Sequence, residues 1–379
     1  MASEHTDPAF HSKKVCDAIN EDLKKPKAER KYHMLQIMTK HDGLPLLRML
    51  ELNIPKSVHF SISSLGGTKY EPGVMKMDDL MDRIEKFIKD GKLKPQTTTV
   101  RIDPIIPGVT RMEDVAHIME RVFKMGIRSI KISIMDSYGY NESAKKRGVM
   151  DNMSRLGYNF DEYYSKYQAK ETTYDKYGNV ERIAGEWYYS QDAKPEVMSE
   201  LYQKVDELAQ KYGVFCTTCG EKPNTSYQFK KLSFAQGCLN ATGVASVLGV
   251  KKEDVEAATA VGNQRPGKCN CLNCKSDVLA YDDTCNSQCA YCYARHGSKV
   301  AMKYYNEDGT LKDNDFTRTS EKQEQPKPDV KGFDVESWSK KEGWSEEYFY
   351  KKVAPRLHEA WQVEYELISH ATGREGSGK

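Results

Sequence analysis

The feature that most constrains this chain is a repeat of short strand-like runs with helical patterns between them. Runs at 34–39, 58–63, 98–103, 129–134, 214–218 and 277–281 are apolar or alternating, as strands are. Between several of them the apolar residues recur at helical spacing, as at Met77, Leu80, Met81, Ile84, Phe87 and Ile88, and again over 112–125 and 195–212. A strand that is followed by a helix cannot pair back through a tight hairpin. Successive strands then lie parallel through crossovers, and the fold class is α/β. Gly91, Gly126 and Gly213 stand where each helix hands over to the next strand, the position of a left-handed C-terminal cap. Met81, Phe87, Val115 and Val122 form the stripe that faces the sheet.

Between 136 and 194 the repeat breaks into an insertion rich in tyrosine and charge. Its part at 172–189 reads as a β-hairpin turning at Tyr177, Gly178 and Asn179. Its aromatics alternate with Lys166, Lys170, Lys176 and Arg182, a pattern that serves either cross-strand pairing or stacking on nucleic-acid bases; pairing is the commoner use. Residues 306–332 are polar and charged, with Pro326 and Pro328, and read as a linker or irregular surface segment. Beyond them, 333–379 reads as a helical extension, interrupted at Pro355, with a flexible Gly-Ser-rich tail. The main unit is then 1–305, with the insertion and a cysteine-rich segment at 216–292.

Charge is nearly balanced at +2, so no global field recruits nucleic acid or an acidic membrane. The first ten residues are polar and no window approaches eighteen consecutive apolar residues, which predicts a cytoplasmic protein with no membrane partner. In a reducing compartment ten cysteines point to metal rather than to disulfides, and nine of them fall between 216 and 292.

Cys285, Cys289 and Cys292 have C-x3-C-x2-C spacing, with the aromatic Tyr291 directly before the third cysteine. Three thiolates on a 4Fe-4S cluster leave one iron open to a small molecule, whereas four make mainly an electron carrier. A closed zinc site is the competing reading, with Cys271 and Cys274 joining Cys289 and Cys292.

The triplet resembles the cofactor motif of the radical S-adenosylmethionine superfamily, down to Tyr291. That resemblance implies a 4Fe-4S cluster on the three cysteines and S-adenosylmethionine chelated to the open iron. It further implies an electron from a reductant such as flavodoxin or ferredoxin, and a 5′-deoxyadenosyl radical that abstracts a substrate hydrogen. In that superfamily the cysteine loop follows the first strand of a six-stranded partial barrel. Here it follows the run at 277–281, the last of six, so the resemblance implies a circularly permuted, partial (β/α)6 TIM-like barrel whose strand ends share one mouth.

From Thr6 to Arg295 the chain also resembles a prokaryotic family known only as a domain of unknown function. The matching pieces are Thr6 to Phe10, Thr39-Lys40, Tyr70-Glu71-Pro72, Arg101 to Ile105, Cys219-Gly220-Glu221, Gly237-Cys238, Gln264-Arg265-Pro266, Asp277, Tyr281, and Cys285 to Ala294. Its pattern implies further metal ligands at Cys219, Cys238, Cys269 and Cys271, with Cys274 able to replace either of the last two and Cys216 a further candidate. A second iron–sulfur cluster and zinc both suit that set. The stretch from Val58 through Pro107 is similar, more loosely, to spore photoproduct lyase and related radical enzymes, which implies a nucleic-acid lesion as substrate. The near-neutral charge supplies no broad phosphate-binding surface for one.

Polar residues at strand ends, Lys40, Ser63, Arg101, Asp103, Asp136 and Glu221, are the candidates to hold the cofactor alongside Tyr291. Arg101 suits a carboxylate and Asp103 a ribose hydroxyl; an internal Arg101–Asp103 ion pair is an equal reading. His59 and His117 read as structural. The expected function is a radical S-adenosylmethionine enzyme. The alternative is a non-enzymatic zinc or iron–sulfur module that engages nucleic acid through the insertion.

Overall fold

The computed structural model describes residues 7–41, 43–137, 149–174, 180–218, 220–221, 223–259, 271–272, 278–279, 285 and 287–292. The chain divides into two units, 1–314 and 315–379, and the described residues all belong to the first.

Six strands form one parallel sheet: β1 (Leu35–Thr39), β2 (Lys56–Ser61), β3 (Thr98–Ile105), β4 (Ser129–Ile134), β9 (Phe215–Thr218) and β10 (Leu232–Ser233). The insertion supplies β5 (Lys166–Gln168), β6 (Thr173–Tyr174), β7 (Val180–Arg182) and β8 (Trp187–Tyr189). The large sheet runs in the order β1-β2-β3-β4-β9-β10, so each strand joins the edge its predecessor left. Right-handed crossovers that always step in one direction carry their helices on one face. The helices Met77–Lys89, Met112–Lys124 and Pro195–Tyr212 make that layer, tied by Arg121 to Asp82 at 2.7 Å and by contacts between the second and third.

The two faces of the sheet differ in chemistry, and the register shows it. Thr39, Phe60, Val100, Ile130, Cys216 and Leu232 form a row across all six strands on the helix-covered face, and all are buried. Met81, Ile84, Val115 and Val122 join that core, as their spacing predicts. One residue along, the opposite face carries Ser61, Arg101, Lys131, Thr217 and Ser233 in register, with His59 beside Thr99. Strands of a parallel sheet are ordinarily apolar on both sides. Here one side holds buried charge, so something polar must cover it.

Five of the six predicted strands are present, β2 two residues earlier than its apolar run suggests. The sixth strand of the sheet is β10 rather than 277–281, most of which lies outside the described residues. No closed barrel is found among the described residues, where β1 and β10 are the two edges. Gly91, Gly126 and Gly213 all take positive φ, at 70, 81 and 70 degrees, and Gly213 caps its helix in the left-handed conformation.

The insertion contains the predicted hairpin, longer than expected: β5 pairs with β8 and β6 with β7, both antiparallel. Its predicted turn lies outside the described residues. The rings of Tyr167 and Tyr188 pair across strands in a tilted arrangement with centroids 6.3 Å apart, Tyr164 and Tyr188 are buried, and Trp187 and Tyr174 face solvent. The extension at 333–379 and the segment 306–332 lie outside the described residues. Among the described residues no helix is long and apolar enough to cross a membrane.

Candidate functional site

The cysteine loop lies over the C-terminal ends of β1 and β2, and the residues that follow those strands hold it there. Gly73 N–H donates to the Ser287 carbonyl at 3.0 Å, and Ala290 N–H donates to the Tyr70 carbonyl at 2.9 Å. Tyr291, the residue of the aromatic slot, is buried and donates its hydroxyl to Glu71. Glu71 also accepts from Lys40 Nζ at 2.8 Å, with the two side chains 1 % and 16 % exposed. Lys40 stands 5.7 Å from the centre of the Tyr291 ring. A carboxylate so buried is tolerable only with a cation and hydrogen-bond donors of this kind.

The loop's other end is fixed by the N-terminal segment. Asp7 accepts from Lys40 N–H at 2.7 Å, Thr39 Oγ1 at 2.8 Å and Ala9 N–H at 3.0 Å, the last capping the short turn Pro8–His11. The matching pieces Thr6 to Phe10, Thr39-Lys40, Tyr70-Glu71-Pro72 and Cys285 to Ala294, far apart in sequence, thus contribute residues to one place.

Burial pushes the Cys289 thiol well up, as do the charges of Glu71, Cys292 and Cys285, while Lys40 opposes them. The three cysteines thus share one electrostatic environment. Burial also pushes the Cys285 thiol up, with Asp7 adding to it and hydrogen bonds from Ser287 and the Asp7 backbone opposing. Burial opposes the charge on Lys40, yet Glu71, Cys289 and Asp103 together hold it protonated well above its ordinary range. Burial therefore favours the protonated form of both thiols. Among the described residues no three His, Cys, Asp or Glu side chains form a ready ligand group for a single metal ion.

The polar face of the sheet continues inward from this loop. Arg101 forms an ion pair with Asp103 and also donates to Cys238 Sγ at 3.0 Å, so the internal ion pair is the arrangement present. Cys238 N–H donates to Cys271 Sγ at 3.1 Å, which brings together two of the predicted further ligands. Cys219, Cys269 and Cys274 lie outside the described residues. Cys216 sits on the other face in the apolar row, its thiol pushed far up by burial and then by Asp206, which makes it a core residue and not a partner of Cys238. Buried Lys131 donates to the Gln236 carbonyl at 2.8 Å and to Thr217 Oγ1 at 3.1 Å. His59 bonds Gln36, as expected of a structural histidine, and His117 pairs on the surface with Asp78.

The remaining strand-end candidates divide. Ser63 is buried and its hydroxyl accepts from Leu65 N–H at 3.3 Å. Asp136 accepts from Gln191 at 2.9 Å. Glu221 bonds Ser133 at 2.6 Å and Tyr202 at 3.0 Å; burial raises its pKa to about 8, with Asp136 and Asp103 adding to the rise and the hydroxyls of Ser133 and Tyr202 opposing it. Asp103 acts electrostatically on both Lys40 and Glu221, so these ends face one region. Asp7, His41, Glu71 and Ser287 belong to the site without having been singled out; the Asp-Pro pair ahead of a helix and the Tyr-Glu-Pro turn were the available signals.

Fold and site together define an α/β protein with a singly wound parallel sheet, a polar inner face and a cysteine loop docked at the strand ends. The chain belongs to the family described as domain of unknown function DUF1848, which matches residues 19–294 and so takes in the sheet and the cysteine triplet. Neither the curated proteins nor the solved structures contain a match to it.

Proposed function

We propose that this protein is a radical S-adenosylmethionine enzyme, in which Cys285, Cys289 and Cys292 hold a 4Fe-4S cluster. The observation that carries the reading is the docking of the cysteine loop on the β1 and β2 ends, beside the polar face, by Glu71, Tyr70 and Gly73. Three thiols in one loop that act electrostatically on one another, beside the Lys40 cation, support the reading. When bound, the cluster and S-adenosylmethionine supply a 5′-deoxyadenosyl radical that abstracts hydrogen from the substrate.

The chain's own residues orient and enclose that chemistry. Tyr291 and Glu71 fix the loop, and Lys40, held by Glu71, supplies positive charge beside Cys289 and Asp103. Asp103, ion-paired with Arg101, is proposed for a ribose hydroxyl. Ser63 shapes the end of β2. The sheet then reads as the open barrel of this class in permuted form. Its sequential strand order and polar inner face support that assignment. The contact between Cys238 and Cys271 supports a second centre, iron–sulfur or zinc, as part of the same proposal.

Anaerobic iron and sulfide analysis of the reconstituted chain, with assay of 5′-deoxyadenosine under reductant, tests the proposal. We expect about four irons for the triplet and deoxyadenosine that disappears when any of Cys285, Cys289 or Cys292 is replaced by Ala. Stoichiometric zinc without deoxyadenosine would overturn it.

A further inference from the structure

Two stretches of chain meet at the sulfur of Cys285, its own loop and the N-terminal segment, and a third reaches it through Ser287. Its Sγ lies 3.3 Å from Ser287 Oγ, and the backbone N–H groups of Ser287 and Asp7 also donate to it. Ser287 is buried, and its hydroxyl lies 2.8 Å from His41 Nε2. Behind the imidazole stand Asp7 Oδ2, 3.9 Å from Nε2, and the ring of Phe10, edge-on at 4.7 Å. Asp7 is itself fixed by Thr39, Lys40 and Ala9, so the histidine rests on a rigid wall.

Proton accounting gives this chain of contacts a direction. While Cys285 is a thiol, its S–H donates to the Ser287 oxygen. Once it is a metal-bound thiolate it only accepts, so the Ser287 hydroxyl turns to donate to sulfur. The serine oxygen then accepts from His41 Nε2–H, which neutral histidine supplies in one tautomer. Every proton in the relay has a partner in that state.

We propose that His41 and Ser287 are positioning residues for Cys285: a hydroxyl relay that keeps a hydrogen bond on its thiolate and raises the reduction potential of the iron–sulfur centre. The inference rests on the cluster reading above. Reduction adds negative charge to the cluster and its sulfurs, and a hydrogen-bond donor stabilises the more negative state. Removing the donor makes the centre harder to reduce.

The test is a redox titration followed by EPR on the full chain after anaerobic reconstitution, with iron and sulfide measured in each sample. Ser287→Ala is expected to retain its cluster and show a lower midpoint potential, whereas Ser287→Thr, which keeps the hydroxyl, stays near the wild type. His41→Leu shifts the potential in the same direction by less. A merely structural role would lower the cluster content and leave the potential of the loaded fraction unchanged. A loaded Ser287→Ala at the wild-type potential overturns the relay. If that variant does not load, His41→Leu carries the same two outcomes. Wild-type protein that takes up no cluster removes the cluster reading and the relay together; a loaded wild type with unshifted variants removes the relay alone.

Discussion

Replacing Glu71 by Gln removes the one carboxylate that ties Lys40 to the cysteine loop. The pair is separated by 2.8 Å and nearly enclosed, with Glu71 1 % exposed. At an effective dielectric constant near 20 the gross attraction at that distance is about 6 kcal/mol, and desolvation of the two ions offsets much of it. Deleting one partner, however, leaves the other buried without its counter-charge, which typically costs ~3–5 kcal/mol. Gln keeps the volume and one acceptor for the Tyr291 hydroxyl, so the lower end, about 3 kcal/mol, is expected. Urea denaturation with linear extrapolation measures it. A double-mutant cycle with Lys40→Met isolates the pair: the double variant should be more stable than the sum of the singles predicts, by at least ~1 kcal/mol. A loss below ~1 kcal/mol, or additivity within ~0.5 kcal/mol, would show that Glu71 does not clamp the loop as described.

The other predictions concern the loop after β2, the edge strand and the polar face. A Cβ on Gly66 would lie 1.9 Å from the Met75 carbonyl oxygen, so Gly66→Ala must displace the backbone that presents Glu71; a loss of roughly 2–3 kcal/mol in thermal or urea unfolding is expected. Asp206, fully buried, accepts the backbone N–H groups of Lys230, Lys231 and Leu232, so Asp206→Asn should cost roughly 2–4 kcal/mol and speed amide exchange at 231 and 232; unchanged exchange would contradict this. Burial brings the His59 pKa down to about 3, with Arg101 and Lys131 adding and Cys238 opposing. The unfolded chain takes up that proton near pH 6.5 and the folded chain does not, so stability falls as pH drops from about 6.5 toward 3, by up to ~1.4 kcal/mol per pH unit, and is unaffected above. His59→Gln should flatten that slope between pH 7 and 5, and an identical slope would count against a neutral buried imidazole.

Much of the fold is legible because its signals are local. The helix over 77–89 shows its buried stripe in the spacing of Leu80, Met81, Ile84 and Phe87, and its hand-over at Gly91 is visible as a glycine. β10 is not legible, for a physical reason. It spans only Leu232–Ser233, too short for any alternation, and is set by a tertiary contact in which Asp206 on a helix gathers its N–H groups. The site is legible in part for the same reason. Cys285, Cys289 and Cys292 are close in sequence and their spacing speaks for itself. Glu71, His41 and Asp7 reach the loop only through the fold, from more than two hundred residues away, and nothing in their immediate neighbours states the distance they close. The same holds for Arg101, whose contact with Cys238 spans two segments that the sequence leaves unconnected.

An iron left open to S-adenosylmethionine by the three cysteines is visible in EPR of the reduced, reconstituted protein. Spectra are recorded before and after S-adenosylmethionine is added. The expected result is a 4Fe-4S signal that changes on addition and is lost in Cys289→Ala. A cluster signal that S-adenosylmethionine leaves unaltered, or protein that holds no cluster, would contradict it.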